Sequence, residues 1–254
     1  GLGDVYKRQV WEDASNKTAY GVRRRYLLGG QLDSVMNYPF RDAILGFLLG
    51  EHASLIMDRI ETIVENYPPQ VLRILMNHIG THDTERALTV LGGEPAGSRG
   101  REWQSAHTLS PEQRETGLER MRLAAFLQFM LPGVPCIYYG DEIAMQGYRD
   151  PFNRAFFDWN STEQRLRGPM KTLAALRRSC DAFDGGQLEL IRAEGDVLHY
   201  RRVGKEQSAE IILNNGPHLI VRTAFGKQTE VNPGGFTILV EDNQPQHVGY
   251  FKYY

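Results

Sequence analysis

An apolar run that ends beside a histidine and an aspartate most constrains what this chain can fold into. Residues 71–76 are apolar except for Arg73, and such a run indicates a buried strand. Gly80 helps to break the pattern, and a helix is predicted to begin near Thr84. The pair at positions 82–83 therefore lies in a loop between a strand and a helix.

The pair His82 and Asp83 has two explanations. Polar residues just past the carboxyl end of a strand lie where α/β proteins build their active sites. Alternatively, Asp83 or Thr84 caps the helix that follows, because Asp and Thr are favoured at that position. The loop by itself leaves both explanations open.

Composition excludes several classes of protein. The chain has 254 residues, is 41% hydrophobic and 24% charged, and has a net charge of −2, which is typical of globular proteins. It is not basic enough to predict a nucleic-acid partner. No apolar run approaches the roughly 20 residues that a membrane span needs, so no membrane partner is predicted either. Cys136 and Cys180 follow no metal-binding or disulfide spacing, and Cys136 is predicted to be buried.

A second strand and helix pair lies further along the chain. Ser110 and Pro111 mark a helix start, and the helix is predicted to continue to about Met130. The apolar residues 134–139 then predict a buried parallel strand. Between the two motifs, residues 92–107 are rich in Gly, Pro and polar residues and are predicted to form a loop.

The segment before the first motif predicts a strand and two helices. Residues 31–40 indicate a short strand, and Pro39 suits the start of a helix. Helices are predicted over 41–50 and 51–66, the second with apolar residues at helical spacing. Tyr38 is either a ring that faces a substrate or merely a residue of the rim, and the sequence does not separate these.

The spacing of the apolar residues changes in the last part of the chain. A helix is predicted over residues 163–180, and Gly185 and Gly186 follow in a turn. Beyond this turn, apolar residues alternate in short runs that Gly, Asn and Pro separate. This pattern predicts a small antiparallel β domain.

Taken together, these segments resemble the α-amylase superfamily of glycoside hydrolases. Residues 71–89 are similar to the seventh barrel strand of that family and its loop, residues 31–40 to the sixth strand, and residues 131–142 to the eighth. The amino-acid sequence of residues 84–89 resembles that of the branch that contains neopullulanases and cyclomaltodextrinases.

The resemblance implies an α/β fold with a (β/α)8 TIM barrel. A complete barrel takes about 250 residues, so this chain has no room for one beside a β domain. The prediction is therefore the C-terminal half of the barrel, with a remnant of strand five and strands six to eight, over residues 10–183. A small antiparallel β-sandwich domain is predicted over 184–254.

Four site residues follow from the resemblance in this half of the barrel. Asp83 matches the carboxylate that stabilises the transition state, and His82 matches a hydrogen-bond donor to the sugar hydroxyls. Asp150 and Arg154 match an Asp and an Arg that bind sugars on the non-reducing side of the cleavage point. The alternative for these last two is an ion pair that only stabilises a loop, since such pairs are common on surfaces.

The start of the chain carries the other two candidates. Residues 1–9 look like a translated adapter or cloning junction, with a genuine short strand as the alternative. Residues 10–15 resemble the segment after the fifth barrel strand, and Gln9 occupies the place of the acid/base Glu. An amide cannot supply the proton that a leaving glycosidic oxygen needs. Trp11 either borders the sugar-binding subsites or is a core aromatic residue.

The implied activity is hydrolysis of α-glucosidic bonds in maltodextrins by a retaining mechanism. The family's nucleophile is an Asp at the end of strand four, a strand that this sequence does not contain. Loss of a general acid alone costs about 10²–10⁴ in rate, and loss of the nucleophile removes the covalent route. The chain as written is therefore predicted to be inactive. The alternative is a non-catalytic carbohydrate-binding or transporter-associated relative.

The remaining expectations concern cofactor, partners and location. No cofactor is predicted, although a longer parent protein has room for calcium, and no metal ligands are assigned. The predicted partner is a maltodextrin or related α-glucan, and a dimer is allowed for the longer parent. The lack of paired cysteines favours the cytoplasm.

Overall fold

The computed structural model describes residues 7–8, 10–15, 17–19 and 21–243. Gln9, which occupies the predicted place of the acid/base residue, lies outside the described residues, as does the end of the predicted β domain. The elements in chain order are β1 (Lys7–Arg8), β2 (Thr18–Ala19), β3 (Val22–Arg23), β4 (Ser34–Val35), α1 (Tyr38–Leu48), α2 (Ala53–Asn66), α3 (Pro69–Arg73), β5 (Met76–Asn77), α4 (Ala87–Gly92), α5 (Arg101–Ala106), α6 (Pro111–Met130), β6 (Val134–Pro135), α7 (Arg167–Ser179), β7 (Gln187–Glu194), β8 (Val197–Val203), β9 (Gln207–Asn214), β10 (Ile220–Ala224), β11 (Lys227–Val231) and β12 (Gly235–Asp242).

Short parallel strands organise the first part of the chain. β1 pairs in parallel with β4, and β5 pairs in parallel with β6. A parallel bridge between Met36 and Met76 joins the two pairs, so the order across the strands is β1-β4-β5-β6. Helices separate β4, β5 and β6 along the sequence, which confirms the predicted α/β class. The backbone pairing of β1 agrees with the alternative that residues 1–9 include a genuine strand.

The predicted strand over 71–76 is wrong for most of its length. Residues 69–73 form α3, and only Met76–Asn77 pair as β5. Pro69 at the first helical position favours this short helix. The exposed Arg73 binds Asp184 through two hydrogen bonds of 2.8 and 3.1 Å. An apolar run of this length does not distinguish a strand from a buried helix.

Two of the predicted helices, α2 and α6, show where the local signals succeed. The apolar residues at helical spacing in α2 were predicted to face the core. Ala53, Ile56, Met57, Ile60 and Ile63 are buried, and Val64 is only partly buried. Helix α6 begins after Ser110, whose hydroxyl accepts a hydrogen bond from the Gln113 amide in a capping box. The second half of α6 is buried on all its sides, since all residues from 123 to 130 are buried.

Two predicted loop and helix boundaries are also wrong. Residues 92–107 contain the short helix α5, whose Trp103 ring stacks on His107 at 4.1 Å between centroids. Helix α7 begins at Arg167 instead of position 163. Glu163 binds Arg165 in an ion pair with a shortest distance of 2.7 Å, and this local contact replaces the first turn of the predicted helix.

The predicted buried strand over 134–139 is short and partly exposed. Within the described ranges, β6 pairs with β5 alone. Val134, Ile137 and Tyr139 are 46%, 37% and 38% exposed because no described element covers their outer side. Cys136 is only partly buried for the same reason. An apolar strand edge of this kind tends to associate with other strands.

Replacing Val134 by lysine is expected to raise the concentration at which the chain self-associates by about tenfold. An association through β6 would have to bury the new charge without a partner, which costs more than the 1.4 kcal/mol that a factor of ten requires. Light scattering after size exclusion measures the change. Leu219→Lys is the control, because Leu219 is 50% exposed but lies far from β6 in the sequence, beside β10. Equal association of the Val134 variant and the parent chain would contradict this expectation.

The last part of the chain is antiparallel, as the period of two predicts. β7, β8, β9 and β12 form a four-stranded sheet in the order β12-β9-β8-β7, and β10 and β11 form a separate hairpin. Helix α2 contacts β7 and β8. One apolar core includes residues of the helices and of this sheet, among them Tyr200, Ile211 and Leu213. The domain boundary near residue 184 stays a prediction.

Arg202 joins the sheet to helix α6. Its guanidinium is fully buried and donates to the carbonyl oxygens of Met130, at 2.8 Å, and Gly186, at 2.9 Å. Arg177 donates to the carbonyl oxygen of Phe129 at 2.7 Å. Both arginines thus satisfy carbonyl groups at the carboxyl end of α6, where the helix dipole favours positive charge. None of the helices in the described part of the chain has the length and apolar character of a membrane span.

Candidate functional site

The loops that follow β5 and β6 come together at the carboxyl ends of the parallel strands. His82 and Asp83 lie in the loop between β5 and α4. Helix α4 begins at Ala87, and its N-cap residue, Arg86, makes no capping hydrogen bond through its side chain. The explanation that Asp83 or Thr84 caps this helix is therefore wrong.

Asp83 is an accessible carboxylate between two basic side chains. Its Oδ2 atom lies 3.1 Å from Nε2 of His82, and its Oδ1 atom lies 3.5 Å from Nη2 of Arg154. The backbone amide of Asp83 donates to the Thr81 hydroxyl at 3.2 Å, and the Thr81 amide donates to the Thr84 hydroxyl at 3.1 Å. Since 28% of the Asp83 side chain is exposed, the carboxylate is available to a ligand.

The predicted residues Asp150 and Arg154 belong to the same site. Arg154 Nε lies 2.9 Å from Asp150 Oδ1 and also donates to the His82 carbonyl oxygen at 3.0 Å. The ion pair of the alternative explanation is therefore present. Both side chains remain about half exposed, at 53% for Asp150 and 45% for Arg154, so the pair leaves room for contact with a ligand.

Trp11 and Tyr38 form a stacked pair of rings. Their centroids are 4.1 Å apart with an interplanar angle of 25°. Trp11 is 49% exposed, so the alternative that it is a core aromatic is wrong. Tyr38 is fully buried between the rings of Trp11 and His78. Burial raises the pKa of Tyr38, and the negative charge of Asp83 adds to the effect.

His78 was missed in the sequence and lies beneath these rings. It is 2% exposed, and its ring meets Tyr38 edge-on at 4.6 Å between centroids. Burial lowers the pKa of His78 to about 3, with a further contribution from the positive charge of Arg41. The imidazole is therefore neutral at physiological pH. In the sequence it is a single histidine between Asn77 and Ile79, just after the apolar run.

Arg86 was also missed and connects three segments of the site. It is fully buried, and its Nε atom donates to the Asn153 carbonyl oxygen at 2.9 Å. Its Nη1 atom donates to the carbonyl oxygen of Tyr139. The guanidinium lies over the rings of Tyr138 and Tyr139, 4.6 and 4.7 Å from their centroids. One side chain thus holds the loop after β5 against both parts of the loop after β6.

Asp141 is the charged partner of Arg86. Its Oδ1 atom lies 3.7 Å from Arg86 Nη1, which is longer than a hydrogen bond, and only 1% of the residue is exposed. Burial raises the pKa of Asp141 to about 7, and Arg86 opposes this shift. A Cβ atom at Gly80 would lie 2.9 Å from Asp141 Oδ2, so the glycine leaves space for the buried carboxyl group.

The described part of the chain holds no cluster of three or more His, Cys, Asp or Glu side chains that suits a metal ion. The candidate site contains an accessible carboxylate, an imidazole, an Asp and Arg pair, and an exposed indole. Paired carboxylates, guanidinium groups and aromatic faces suit a polyhydroxylated ligand, whose hydroxyls donate and accept hydrogen bonds.

Comparison with known proteins finds one matching protein family and several relatives of similar sequence. Residues 10–184 match the family described as the alpha amylase catalytic domain. The chain is 32% identical over 241 residues to an amylopullulanase of Thermoanaerobacter thermohydrosulfuricus, a match covering 89% of this chain and 15% of that protein. It is 34% identical over 218 residues to a cyclomaltodextrinase of Geobacillus thermopakistaniensis, covering 83% of this chain and 32% of that protein.

A solved structure resembles the fold as well. The ligand-free cyclic alpha-maltosyl-(1→6)-maltose hydrolase from Arthrobacter globiformis superimposes with a TM-score of 0.74 at 25% sequence identity. The match covers 94% of this chain and 49% of that one. The chain thus spans about half the length of this solved relative, and a third or less of the two curated relatives above.

Proposed function

The chain belongs to the α-amylase family of glycoside hydrolases, and from this membership we propose that its site binds the α-glucosidic linkage of maltodextrins. The observation that carries the proposal is the convergence of four side chains, two from each loop. Charged or polar atoms lie within 3.5 Å of each other in three successive pairs, namely His82 with Asp83, Asp83 with Arg154, and Arg154 with Asp150. The relatives whose names describe their substrates act on pullulan-type and cyclic maltodextrins.

In this proposal, Asp83 binds the sugar in this polypeptide, and in a longer parent protein it stabilises the positive charge that develops on the sugar during hydrolysis. Retaining glycosidases pass through an oxocarbenium-like transition state, and a carboxylate beside the ring lowers its energy. Arg154 and His82 hold the Asp83 carboxylate in place from opposite oxygens. His82 donates to a sugar hydroxyl, and the exposed ring of Trp11 borders the bound chain.

The same proposal assigns Asp150 and Arg154 to a more distant sugar on the non-reducing side. Their ion pair keeps the two side chains oriented before a ligand arrives, which lowers the entropy lost on binding. Half of each side chain faces solvent, so a hydroxyl can bind either group without breaking the pair.

The full retaining reaction needs two further carboxyl groups about 5–5.5 Å apart. The family resemblance puts the acid at position 9, where this sequence has Gln, and the nucleophile on a strand that this sequence does not contain. We therefore propose that this polypeptide binds maltodextrin but does not hydrolyse it. The parallel strands represent the second half of the barrel in this proposal, and the antiparallel sheet with its hairpin represents a β-sandwich.

Replacing Asp83 by alanine is expected to weaken the binding of maltoheptaose by about tenfold, because a hydrogen bond to a charged group contributes about 1.5–3 kcal/mol. Isothermal titration calorimetry measures the affinity, and reducing-sugar release measures hydrolysis. Asp58→Ala, an exposed change on α2, serves as the control. If the parent chain fails to bind maltoheptaose, or if Asp83→Ala binds equally well, the binding proposal is wrong. Release of maltose or glucose would contradict the proposed inactivity.

A non-catalytic carbohydrate-binding or transporter-associated relative is the second candidate, and Gln9 is the observation that favours it. DNA sequencing of the source gene across this position separates the two. A glutamate codon there would favour the hydrolase, and a glutamine codon would favour the non-catalytic relative.

Cytoplasmic location also remains a proposal, supported by the two free thiols of Cys136 and Cys180.

A further inference from the structure

One buried amide binds most of the backbone around the candidate carboxylate. Asn153 is fully buried in the loop that follows β6. Its Nδ2 atom donates to the carbonyl oxygens of Thr84 at 2.7 Å and His82 at 2.8 Å, and it lies 3.4 Å from the carbonyl oxygen of Thr81. These three carbonyl groups belong to the turn that carries Asp83.

The position of Asn153 is itself fixed from the other side. Arg86 donates to the backbone carbonyl of Asn153 at 2.9 Å. Arg86 is itself fully buried, so packing on all sides restricts its side chain. The next residue, Arg154, reaches the Asp83 carboxylate. The amide therefore lies between a rigid buried support and the turn that holds the exposed ligand-binding group.

The three contacts determine where the Asp83 side chain lies. A primary amide has two N–H groups, and here both are directed at carbonyl groups of one short turn. Arg154 also donates to the His82 carbonyl, so the turn would stay attached without Asn153. It would lose the contacts at both Thr81 and Thr84, however, and the turn between them would be free to change its orientation.

We infer that Asn153 is a positioning residue, which holds the turn of residues 81–84 so that Asp83 and His82 present their polar groups to a bound sugar. The inference rests on the proposed function for its ligand. It goes beyond that function because Asn153 itself contacts no exposed surface and has no part in charge stabilisation.

The test compares Asn153→Ala with a change in helix α4 that removes a different contact of the loop after β6. Thr89 is buried and its hydroxyl accepts a hydrogen bond from the Gly147 amide at 2.8 Å, so Thr89→Val loosens this loop without removing a contact to the turn. Asn153→Ala is expected to weaken maltoheptaose binding about tenfold, whereas Thr89→Val changes it less than about twofold. Melting temperatures establish that each variant is folded at the temperature of the titration.

A second measurement does not depend on any ligand. Amide hydrogen exchange of residues 82–84 is expected to be about tenfold faster in Asn153→Ala than in the parent chain, because the turn has lost its donor. Asn153→Asp, which keeps the shape but replaces the donor with an acceptor, is expected to show at least the same acceleration. Thr89→Val leaves the exchange of these amides nearly unchanged.

The two measurements separate failure of the inference from failure of the proposed function. If the parent chain does not bind maltoheptaose, the proposed function is wrong, and exchange alone then decides whether Asn153 orders the turn. If Asn153→Ala binds and exchanges like the parent chain, the inference is wrong. Equal effects of Asn153→Ala and Thr89→Val would also overturn it, since they would show only a general loosening of the loop.

Discussion

Replacing Arg86 by methionine is expected to lower the free energy of unfolding by about 3–5 kcal/mol, the range found when one partner of a buried ion pair is removed. Methionine would fill much of the space over the rings of Tyr138 and Tyr139. It would leave Asp141 buried without its positive partner. The carbonyl oxygens of Tyr139 and Asn153 would each lose the hydrogen bond from Arg86, and Asn153 would keep only the longer one from the Tyr138 hydroxyl. Unsatisfied buried acceptors add to the cost.

Urea unfolding followed by circular dichroism measures this effect. Arg149→Met is the matched control, because Arg149 also binds a carboxylate, Glu85 Oε1 at 3.1 Å, but its side chain is 59% exposed. A surface pair of this kind contributes about 0–1 kcal/mol. The double variant Arg86→Met with Asp141→Leu is expected to recover part of the loss, since it removes both buried charges. Equal losses for Arg86→Met and Arg149→Met would contradict the buried role of Arg86.

The second large effect is on the pH dependence of stability, and two buried groups act in opposite directions. The pKa of His78 is lowered from 6.5 to about 3 by burial. The unfolded chain therefore binds more protons between pH 3 and 6.5, and stability falls as the pH is lowered through this range. The pKa of Asp141 is raised from 3.8 to about 7 by burial. The folded chain then binds more protons, and stability falls as the pH is raised from about 4 to 7.

Single substitutions are expected to separate the two contributions. Between pH 4.5 and 6.5, each group changes the free energy of unfolding by about 2–3 kcal/mol, at 1.36 kcal/mol for each pH unit. His78→Leu is therefore expected to lose about this much stability as the pH rises across the range. Asp141→Asn is expected to gain a similar amount over the same interval. The double variant is expected to keep only the pH dependence that other buried groups, such as His199, contribute.

Urea titrations at pH 4.5, 5.5 and 6.5 measure how the free energy of unfolding changes with pH. The test compares this change between variants and not their absolute stabilities. His218→Leu is the control, because His218 is exposed and its replacement leaves both buried groups in place. His199 is also buried beside Glu210, and burial lowers its pKa, so it adds to the slope of His78 in all variants alike. A His78→Leu variant whose pH profile runs parallel to that of the parent chain would show that His78 is not buried as described.

The helices were predictable where the sequence carries their signals within a few residues. Ser110, Pro111 and Gln113 specify the start of α6 through contacts that the chain makes with itself locally. The apolar run over 71–76 carries no such signal, and its division into α3 and a two-residue strand depends on pairing with β6, more than 50 residues away. Exposure of Val134 and Tyr139 likewise depends on what covers the strand, which no local pattern contains.

The site was predictable only as far as the family resemblance reached. The four side chains that it selected, His82, Asp83, Asp150 and Arg154, lie in contact in successive pairs, and their part in a functional site stays a proposal. Residues that support the site from below carry no comparable signal. Arg86 and Asn153 are 67 residues apart, and each is a single polar residue beside a more conspicuous neighbour. Only the folded chain shows that they are buried and that they touch.

The contact of Arg202 with the end of helix α6 has a consequence for how this fold can be recombined during evolution. The sheet supplies a donor that the Met130 carbonyl, on the other side of the predicted boundary, needs when it is buried. A sheet transferred from another relative would have to bring an equivalent cation at the same position. Exchange at residues 184–186 is therefore expected to cost stability unless the incoming sheet carries a hydrogen-bond donor at this position.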